Sequence, residues 1–440
     1  MKKYLFTTRG VKWSLLTSIS NAVLGVAVAG FILAKLDPIT QGYYYTFSSL
    51  MILTILFEMG ITTCIVQFLS HEFARLKFAR NGFVVGPIGH KKRFLHIAKM
   101  SMKWFGGAGC VFFFSTIIGG LVFFNGNVDL SVSEWRTPWI LLCFGTALSF
   151  PVNSLIAVTN GANLIDWTSK IRFFQNFVRA VTLILFLYLD FGLISLGLAT
   201  LTGHIVALIL AMGQLKLAVQ IFRFRETDCV SWFKEIFPMQ WRLAVSWLSG
   251  YLIYSTFIPI LFKFIGPVEA GRFGLTWSII QTVSSLGQAF VLPLAPEFGR
   301  LLSLAQFSLL RSVWRSAAIQ GALIIVLAGF GLCGTLYAVR IWDSSLADRF
   351  LPVHYVFALS AAMFLNQITF SITVLVRAER REPFMWQSVA AGVFVIGGNI
   401  VFCVFSISQL IPVYFLLVQS GLLVVCYPVL KSSPIFTEQK

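Results

Sequence analysis

Charge is what this chain has least of. Only 12% of its 440 residues are Asp, Glu, Lys or Arg, against 57% hydrophobic, and the mean hydropathy is +0.83. A soluble chain of this length could not cover its surface with so few charges, so a soluble globular fold is excluded. Acidic residues are scarcer still. Seventeen Asp and Glu face 34 Lys and Arg, a formal net charge of +17. Such an excess on a soluble domain would point to nucleic acid, but no soluble domain exists to carry a basic stripe, so no nucleic-acid partner is expected. The seven cysteines (Cys64, Cys110, Cys143, Cys229, Cys333, Cys403 and Cys426) form no CxxC. That argues against a disulfide framework or a zinc site and leaves free thiols among apolar helices. HExxH, Walker A and GxSxG are absent. The sequence therefore calls for no cofactor and excludes an ATP-driven pump within this chain.

What the chain has in abundance is long apolar runs: 14–34, 43–69, 104–124, 138–160, 173–190, 193–215, 243–264, 272–295, 316–339, 353–376, 384–406 and 410–430. Each is close to the roughly 20 residues that carry a helix across the hydrocarbon core. They are continuously apolar rather than alternating, which excludes a β-barrel. The expected fold is an all-α polytopic membrane protein with about 12 transmembrane helices.

Lys and Arg alternate between the intervening segments. One set holds Lys2, Lys3, Arg9 and Lys12, then Arg75 to Lys103, Lys170 and Arg172, Lys216 to Arg242, Arg300 to Arg315, Arg377 to Arg381, and Lys431 and Lys440. The other holds only Lys35, Arg136, Lys263, Arg272, Arg340 and Arg349. The rich set is cytoplasmic by the positive-inside rule, which places both termini and the 71–103 loop inside. The first run resembles a signal peptide, with Ala27-Val28-Ala29 as a cleavage-like site, but it stays apolar to Ala34, longer than such a region, and reads as a retained helix.

Spans two and eight resemble each other. Both open with Pro-x-x-x-Gly (Pro38 to Gly42, Pro267 to Gly271) and close with Glu-Phe-x-Arg-Leu (Glu72 to Leu76, Glu297 to Leu301), and Thr46-Phe47-Ser48 parallels Thr276-Trp277-Ser278. One reading is chance in a biased composition. The other is a six-helix unit present twice in one orientation, a plan that places a transporter's substrate path between its halves. On that reading residues 1–215 form an N-terminal lobe, 216–242 a cytoplasmic linker, and 243–440 a C-terminal lobe with a short cytoplasmic tail.

The segment Gly42-Tyr43-Tyr44-Tyr45-Thr46-Phe47-Ser48-Ser49-Leu50, with Phe57-Glu58-Met59-Gly60 and Val66 to Glu72, resembles the second span of bacterial O-antigen (Wzx-type) flippases. These belong to the multidrug/oligosaccharidyl-lipid/polysaccharide exporter superfamily. The local match covers about 60 residues, and topology and length agree over the whole chain. The resemblance implies two six-helix lobes around a central cavity in a bacterial inner membrane. It implies a lipid-linked glycan, an undecaprenyl-pyrophosphate oligosaccharide, moved to the periplasmic leaflet by alternating access for surface polysaccharide biosynthesis. Proton or sodium coupling, surrounding membrane lipids, and polymerase and glycosyltransferase partners are implied with it. A multidrug or cation antiporter of the same superfamily is the alternative, because the two share the fold.

Ionisable groups within spans need a reason, since insertion costs about 2.5–3.5 kcal/mol each. Glu58 lies about 11 residues, or ~16 Å, from the cytoplasmic edge of span two, beyond easy snorkelling. It is either a hydrogen-bonded structural group or the titratable group that couples ions to transport. Arg179 either snorkels or serves as a cation for pyrophosphate or for Glu58, its planar donors suiting phosphate. Lys263 and Arg272 are interfacial anchors or exit-side contacts. Asn153, Asn160, His204, Gln281, Gln288 and Asn366-Gln367 either line a path or bond helix to helix. Pro151, Pro259 and Pro293 interrupt their helices. Tyr43, Tyr44 and Tyr45 read as an outer aromatic belt, with sugar stacking the lesser reading. A membrane enzyme acting on lipid-linked sugars is the rival class. The outer segments are too short for the catalytic loop such enzymes carry, and Asp343 and Asp348 match no metal motif, so an enzyme is not expected.

Overall fold

The computed structural model describes residues 9–79, 82–126, 129–224, 230–379, 384–431 and 433–437. Both termini, and with them Lys2, Lys3 and Lys440, lie outside the described residues, as do Arg80, Arg225, Arg380, Arg381 and Cys229. The chain is an all-α polytopic membrane protein. Nine of its described helices are long and apolar enough to cross a bilayer, and eleven if each of two bent helix pairs is one crossing. The remaining expected run, 14–34, falls on a helix whose apolar stretch Ser20–Lys35 is shorter than the rest.

In chain order the helices begin with α1 (Arg9–Lys35), α2 (Pro38–Met51), α3 (Thr54–Glu58) and α4 (Ile61–Phe73). A two-residue hairpin, β1 (Lys77–Phe78) and β2 (Val84–Val85), pairs Lys77 with Val85. Then come α5 (Ile88–Phe124), α6 (Val132–Ala147), α7 (Ser149–Gly161), α8 (Ile165–Tyr188), α9 (Ile194–Ala211) and α10 (Leu215–Arg223). The second half holds α11 (Phe237–Tyr254), α12 (Phe257–Phe264), α13 (Pro267–Gln288), α14 (Ala295–Ser303) and α15 (Phe307–Trp342). It ends with α16 (Ser344–Ala347), α17 (Val353–Arg377), α18 (Met385–Val404), α19 (Ile411–Lys431) and α20 (Pro434–Thr437).

Two helices outrun their expected spans. α5 has 37 residues and α15 has 36. At ~1.5 Å per residue each is about 55 Å long, nearly twice the hydrocarbon core of ~30 Å. Hydropathy registers only the part in lipid, whereas the hydrogen-bond ladder of α5 continues through His90, Lys91, Lys92 and Arg93. Other spans are broken. α2–α3 and α4 meet at 44°, and α11 and α12 at 48°. Of the three prolines expected to interrupt helices, Pro259 stands beside such a break. Pro151 and Pro259 are each the third residue of a helix, α7 and α12, where the missing N–H would be unpaired anyway. Pro293 lies in the turn between α13 and α14.

The chain packs as two compact units. The first comprises Met1–Thr17, as far as described, and Met51–Leu248; the second comprises Ser18–Leu50 and Ser249–Lys440, again as far as described. In the first unit Val152 and Ile156 of α7, Ile171 of α8, and Ala207 and Ala211 of α9 form a buried cluster. α6 and α9 approach closely because Gly197 faces Leu141 and Gly145 faces the backbone of Leu201. Small residues permit such contact where lipid supplies no hydrophobic drive between helices.

The second unit contains an arrangement built from the repeated Pro-x-x-x-Gly. α2 crosses α13 at Gly42 and Gly271. A Cβ on Gly42 would overlap the Pro267 carbonyl, and one on Gly271 would lie 3.0 Å from the Gly42 nitrogen and 3.2 Å from the Pro38 carbonyl oxygen. The contact is reciprocal, glycine of each motif on proline of the other. One turn on, Gly274 accepts the Tyr45 side chain. This crossing buries Tyr43, Tyr44 and Tyr45, with the Tyr43 ring 4.8 Å from that of Phe262. They are interior residues, not the aromatic belt that their position suggested. α2 itself starts on Asp37, whose carboxylate accepts from the Ile39 and Thr40 amides at 3.1 and 3.2 Å, with Pro38 following as first helical residue. Burial pushes the Asp37 carboxyl up, but hydrogen bonds from Thr40 and Ile39 outweigh it and hold the group below its ordinary value.

On the basic side of the first unit, Glu72 at the end of α4 is nearly buried and holds two residues of α5. It lies 2.7 Å from His90 Nδ1 and accepts from Arg93 Nε at 2.9 Å. Arg93 also pairs with Glu235 at 2.7 Å. His90 Nε2 is 2.9 Å from Arg75, which can only donate, so Nδ1 carries the proton given to Glu72. Arg93→Ala removes both charged hydrogen bonds of that guanidinium and leaves Glu72 short of donors. We expect a loss of about 1–2 kcal/mol, in the range of single bonds to charged groups because the site is partly exposed. A thermal melt in detergent measures it.

Candidate functional site

The first unit brings together four polar side chains from four helices at a discontinuity. Glu58 is the last residue of α3. Met59 and Gly60 follow with φ of 49° and 68°, the left-handed region, and α4 begins at Ile61. Met59 donates its amide back to the Ile55 carbonyl and closes the short helix. Gly60 is required twice over, by its φ and by Leu243, whose Cβ would lie 2.7 Å from an added Cβ. Glu58 thus stands beside the amino end of α4, where first-turn amides lack acceptors and the helix dipole favours negative charge.

Asn153 of α7 donates to Glu58 Oε1 at 2.5 Å, and Thr62 of α4 donates to Oε2 at 3.4 Å. Arg172 of α8 lies close enough to interact with the carboxylate charge. Glu58 is half-buried and Arg172 exposed. A carboxylate has about four acceptor positions. Two are used here, so the others can take a proton or a small cation. Irregular backbone at membrane depth is tolerated where it is buried in protein or faces a wet cavity, and broken helices in transporters hold ions in this way.

Arg179 does not pair with Glu58 among the described residues. Its stem packs on Gly203 and its charge acts on buried His204, whose Nδ1 donates to the Thr200 carbonyl at 2.8 Å. Arg172 precedes Arg179 by seven residues, two helical turns, so both lie on one face of α8, with Arg172 nearer the basic end. By its place between apolar runs Arg172 reads as one of the cytoplasmic-side cations. The signal that could have found it is the polar stripe Thr168, Arg172, Gln175, Arg179 at helical spacing.

The other candidates stand in the second unit. Arg272 is engaged structurally: it pairs with Glu269 at 2.6 Å and donates to the Asp348 carbonyl at 2.6 Å. Arg349, one of the outer-side cations, donates to Gln41 Oε1 at 2.9 Å and to the Leu36 carbonyl at 2.6 Å, while Gln41 donates to the Gly271 carbonyl at 2.8 Å. Lys263 is exposed near the end of α12. Gln281, Gln288 and, in the first unit, Asn160 are half-buried. Asn366 donates to the Tyr254 hydroxyl and, at 3.5 Å, to Gln419, and Gln367 donates to the Gly287 carbonyl at 3.1 Å. These amides join helices. Among the described residues no group of three or more His, Cys, Asp or Glu is placed to hold a metal ion.

No protein-family model matches the chain, and no curated protein does. Solved structures match it over nearly its whole length. It superposes on the inward-facing conformation of a multidrug resistance MATE family transporter of the MOP superfamily with a TM-score of 0.72, at 11% identity over 93% of this chain and 95% of the other. The outward-facing conformation of such a transporter gives 0.60 at 13% identity, covering 98% and 96%. A MOP superfamily transporter from Pyrococcus furiosus, described as having a binding pocket of reverse polarity that suggests a different function, gives 0.59 at 12%, covering 98% and 96%. At these identities the likeness establishes the fold, that of MOP-superfamily transporters.

Proposed function

We propose that this chain is a secondary transporter that works by alternating access and couples an ion to substrate movement through Glu58. The observation that carries the proposal is the intramembrane break at Met59–Gly60, which holds that carboxylate beside Asn153, Thr62 and Arg172. The fold shared with MOP-superfamily transporters supports transport as the class. The fold is that of MATE transporters, and this supports a cation-coupled antiporter of multidrug type, with a proton or sodium as the driving ion.

A second reading is favoured by one observation. Arg172 and Arg179 share a face of α8, both exposed, whereas Glu58 is the one carboxylate well inside a span in the first unit among the described residues. An organic cation gains little from two guanidinium groups. A pyrophosphate gains bidentate contacts. Together with the resemblance at residues 42–72, this supports a flippase for a lipid-linked oligosaccharide, acting with a polymerase and glycosyltransferases. Arg179 would then contact substrate, with Asn153 and Gln281 as further candidates, whereas Arg272 and Lys263 would be outer-end groups.

Two assays on the full chain separate the readings. Proteoliposomes carrying a sodium or proton gradient are tested for uptake of an organic cation, and a deletion strain is examined for lipid-linked glycan left facing the cytoplasm. Gradient-driven cation flux supports the antiporter. Stranded glycan and lost surface polymer support the flippase. Neither outcome would defeat transport of both kinds.

We further propose that 1–215 and 243–440 arose by duplication around the 216–242 connection. The reciprocal contact of Pro38-x-x-x-Gly42 with Pro267-x-x-x-Gly271 supports it, since the glycine of each motif lies against the proline of the other. The proposed orientation places both termini inside. A phosphatase active only in the periplasm is therefore expected to stay inactive when fused after Lys440; activity there would reverse the topology.

A further inference from the structure

We propose that residues 215–224 and 230–242 form a binding surface for anionic phospholipid headgroups of the cytoplasmic leaflet. α10 has nine residues, about 14 Å, less than half of the hydrocarbon thickness, so it cannot cross. It is strongly amphipathic, and its inward side is fixed. Leu217 and Ile221 are buried, and Gln220 bonds both backbone groups of Val84, accepting at 2.8 Å and donating at 3.0 Å. After the undescribed residues 225–229 the chain is again pinned from within. Trp232 stacks on Trp104 with ring centroids 5.5 Å apart and donates to buried Gln240 at 3.0 Å, and Ile236 is buried between them in sequence.

With the inner faces committed, the outward side chains are determined. Phe222 is 68% exposed and Phe233 78%, values that no soluble surface would favour. Phe233, Phe237 and Trp241 follow at four-residue spacing, all exposed, with the first two rings 5.9 Å apart. Cations alternate with them. Lys216, Arg223, Lys234 and Arg242 are exposed, and Arg242 lies over the Trp241 ring at 5.8 Å. None of the four forms an ion pair among the described residues. Glu235, the one acid described in this stretch, is already paired with Arg93 at 2.7 Å.

Aromatic rings interleaved with Lys and Arg along amphipathic α10 and around the start of α11, at the basic side of a membrane protein, match one occupant. The rings enter the headgroup and acyl boundary, and the exposed cations meet lipid phosphates, whose negative charge attracts Lys and Arg at the surface. A zwitterionic headgroup would satisfy the rings but not the four cations.

The test is native mass spectrometry of the full-length protein in detergent, titrated with phosphatidylglycerol or with phosphatidylcholine of the same chains. Wild type is expected to retain the anionic lipid at least about fivefold better. The quadruple variant Lys216→Gln, Arg223→Gln, Lys234→Gln, Arg242→Gln is expected to lose that preference with an unchanged melting temperature. Arg136→Gln with Arg340→Gln, which removes charge from the opposite side, is expected to keep it. Equal retention of the two lipids by wild type overturns the proposal whatever the variants do. A folded quadruple variant that still prefers the anionic lipid also overturns it.

Discussion

Glu58→Gln is expected to lower gradient-driven transport by about 5- to 150-fold, the span of a typical coupling free energy, while the protein accumulates normally. The amide keeps the shape of the side chain and can still accept from Asn153, now at 2.5 Å from Oε1. What it loses is the capacity to bind and release a proton or cation. Arg172→Gln acts in the opposite sense, leaving the Glu58 charge without its cationic neighbour. Removing one member of such a pair is worse for stability than removing both. The double variant is therefore expected to melt above Arg172→Gln alone, whereas transport stays low in both because Glu58 is absent or uncompensated. Arg179→Lys separates the two substrate readings, since it leaves the Glu58 cluster intact and removes a bidentate phosphate donor. Transport in proteoliposomes, normalised to protein, reads all four variants. Full gradient-driven activity in Glu58→Gln would reduce the carboxylate to a structural group.

The largest structural effect is expected at the glycine crossing. Gly42→Val places its side chain where the Pro267 carbonyl already lies, against backbone that no rotamer change can clear. Overpacking a core with flexible neighbours costs about 1–3 kcal/mol. Here α2 and α13 must separate, which also threatens the Arg349 bonds to Gln41 and Leu36. A loss above about 3 kcal/mol is expected, seen as a lower melting temperature and a broadened elution profile. Gly30 and Gly397 supply the comparison, since an added Cβ at either meets nothing within 4 Å. Alanine at those positions gains helix propensity of roughly 1 kcal/mol and is expected to be neutral or stabilising. A Gly42→Val protein that melts with wild type would show that the crossing is not rigid.

The apolar runs were legible because bilayer thickness dictates them, and each of the twelve falls on a helix or bent helix pair. What happens within a run was not. Nothing in the hydropathy of 43–69 marks the turn at Met59–Gly60, because a left-handed residue is chosen by backbone and neighbours, here Leu243. Glu58 was identifiable from its expense in lipid, but its partners were not, since depth along a helix ranks Arg179 and Arg172 without saying which one faces the carboxylate. Tyr43, Tyr44 and Tyr45 read as belt residues from position alone, and their burial follows from Gly42 and Gly274, which let α2 and α13 close on each other. The Pro-x-x-x-Gly repeat was visible as a resemblance between two segments. That the two copies touch was beyond any one-dimensional signal.

The discontinuity at Met59–Gly60 also changes how the interior of the membrane exchanges hydrogen. The amides of Ile61, Thr62 and Thr63 open α4 and have no carbonyl one turn back, the ladder starting with Cys64 donating to Gly60 at 3.4 Å. Unpaired amides cannot persist in hydrocarbon, so water must visit them. Deuterium should therefore enter this chain in the middle of a span, at the four peptide groups of Gly60 to Thr63, between the bonded amides of Met59 and Cys64. The rate at which they label becomes a clock for how often the Glu58 site is wet, readable without substrate, ion gradient or mutation.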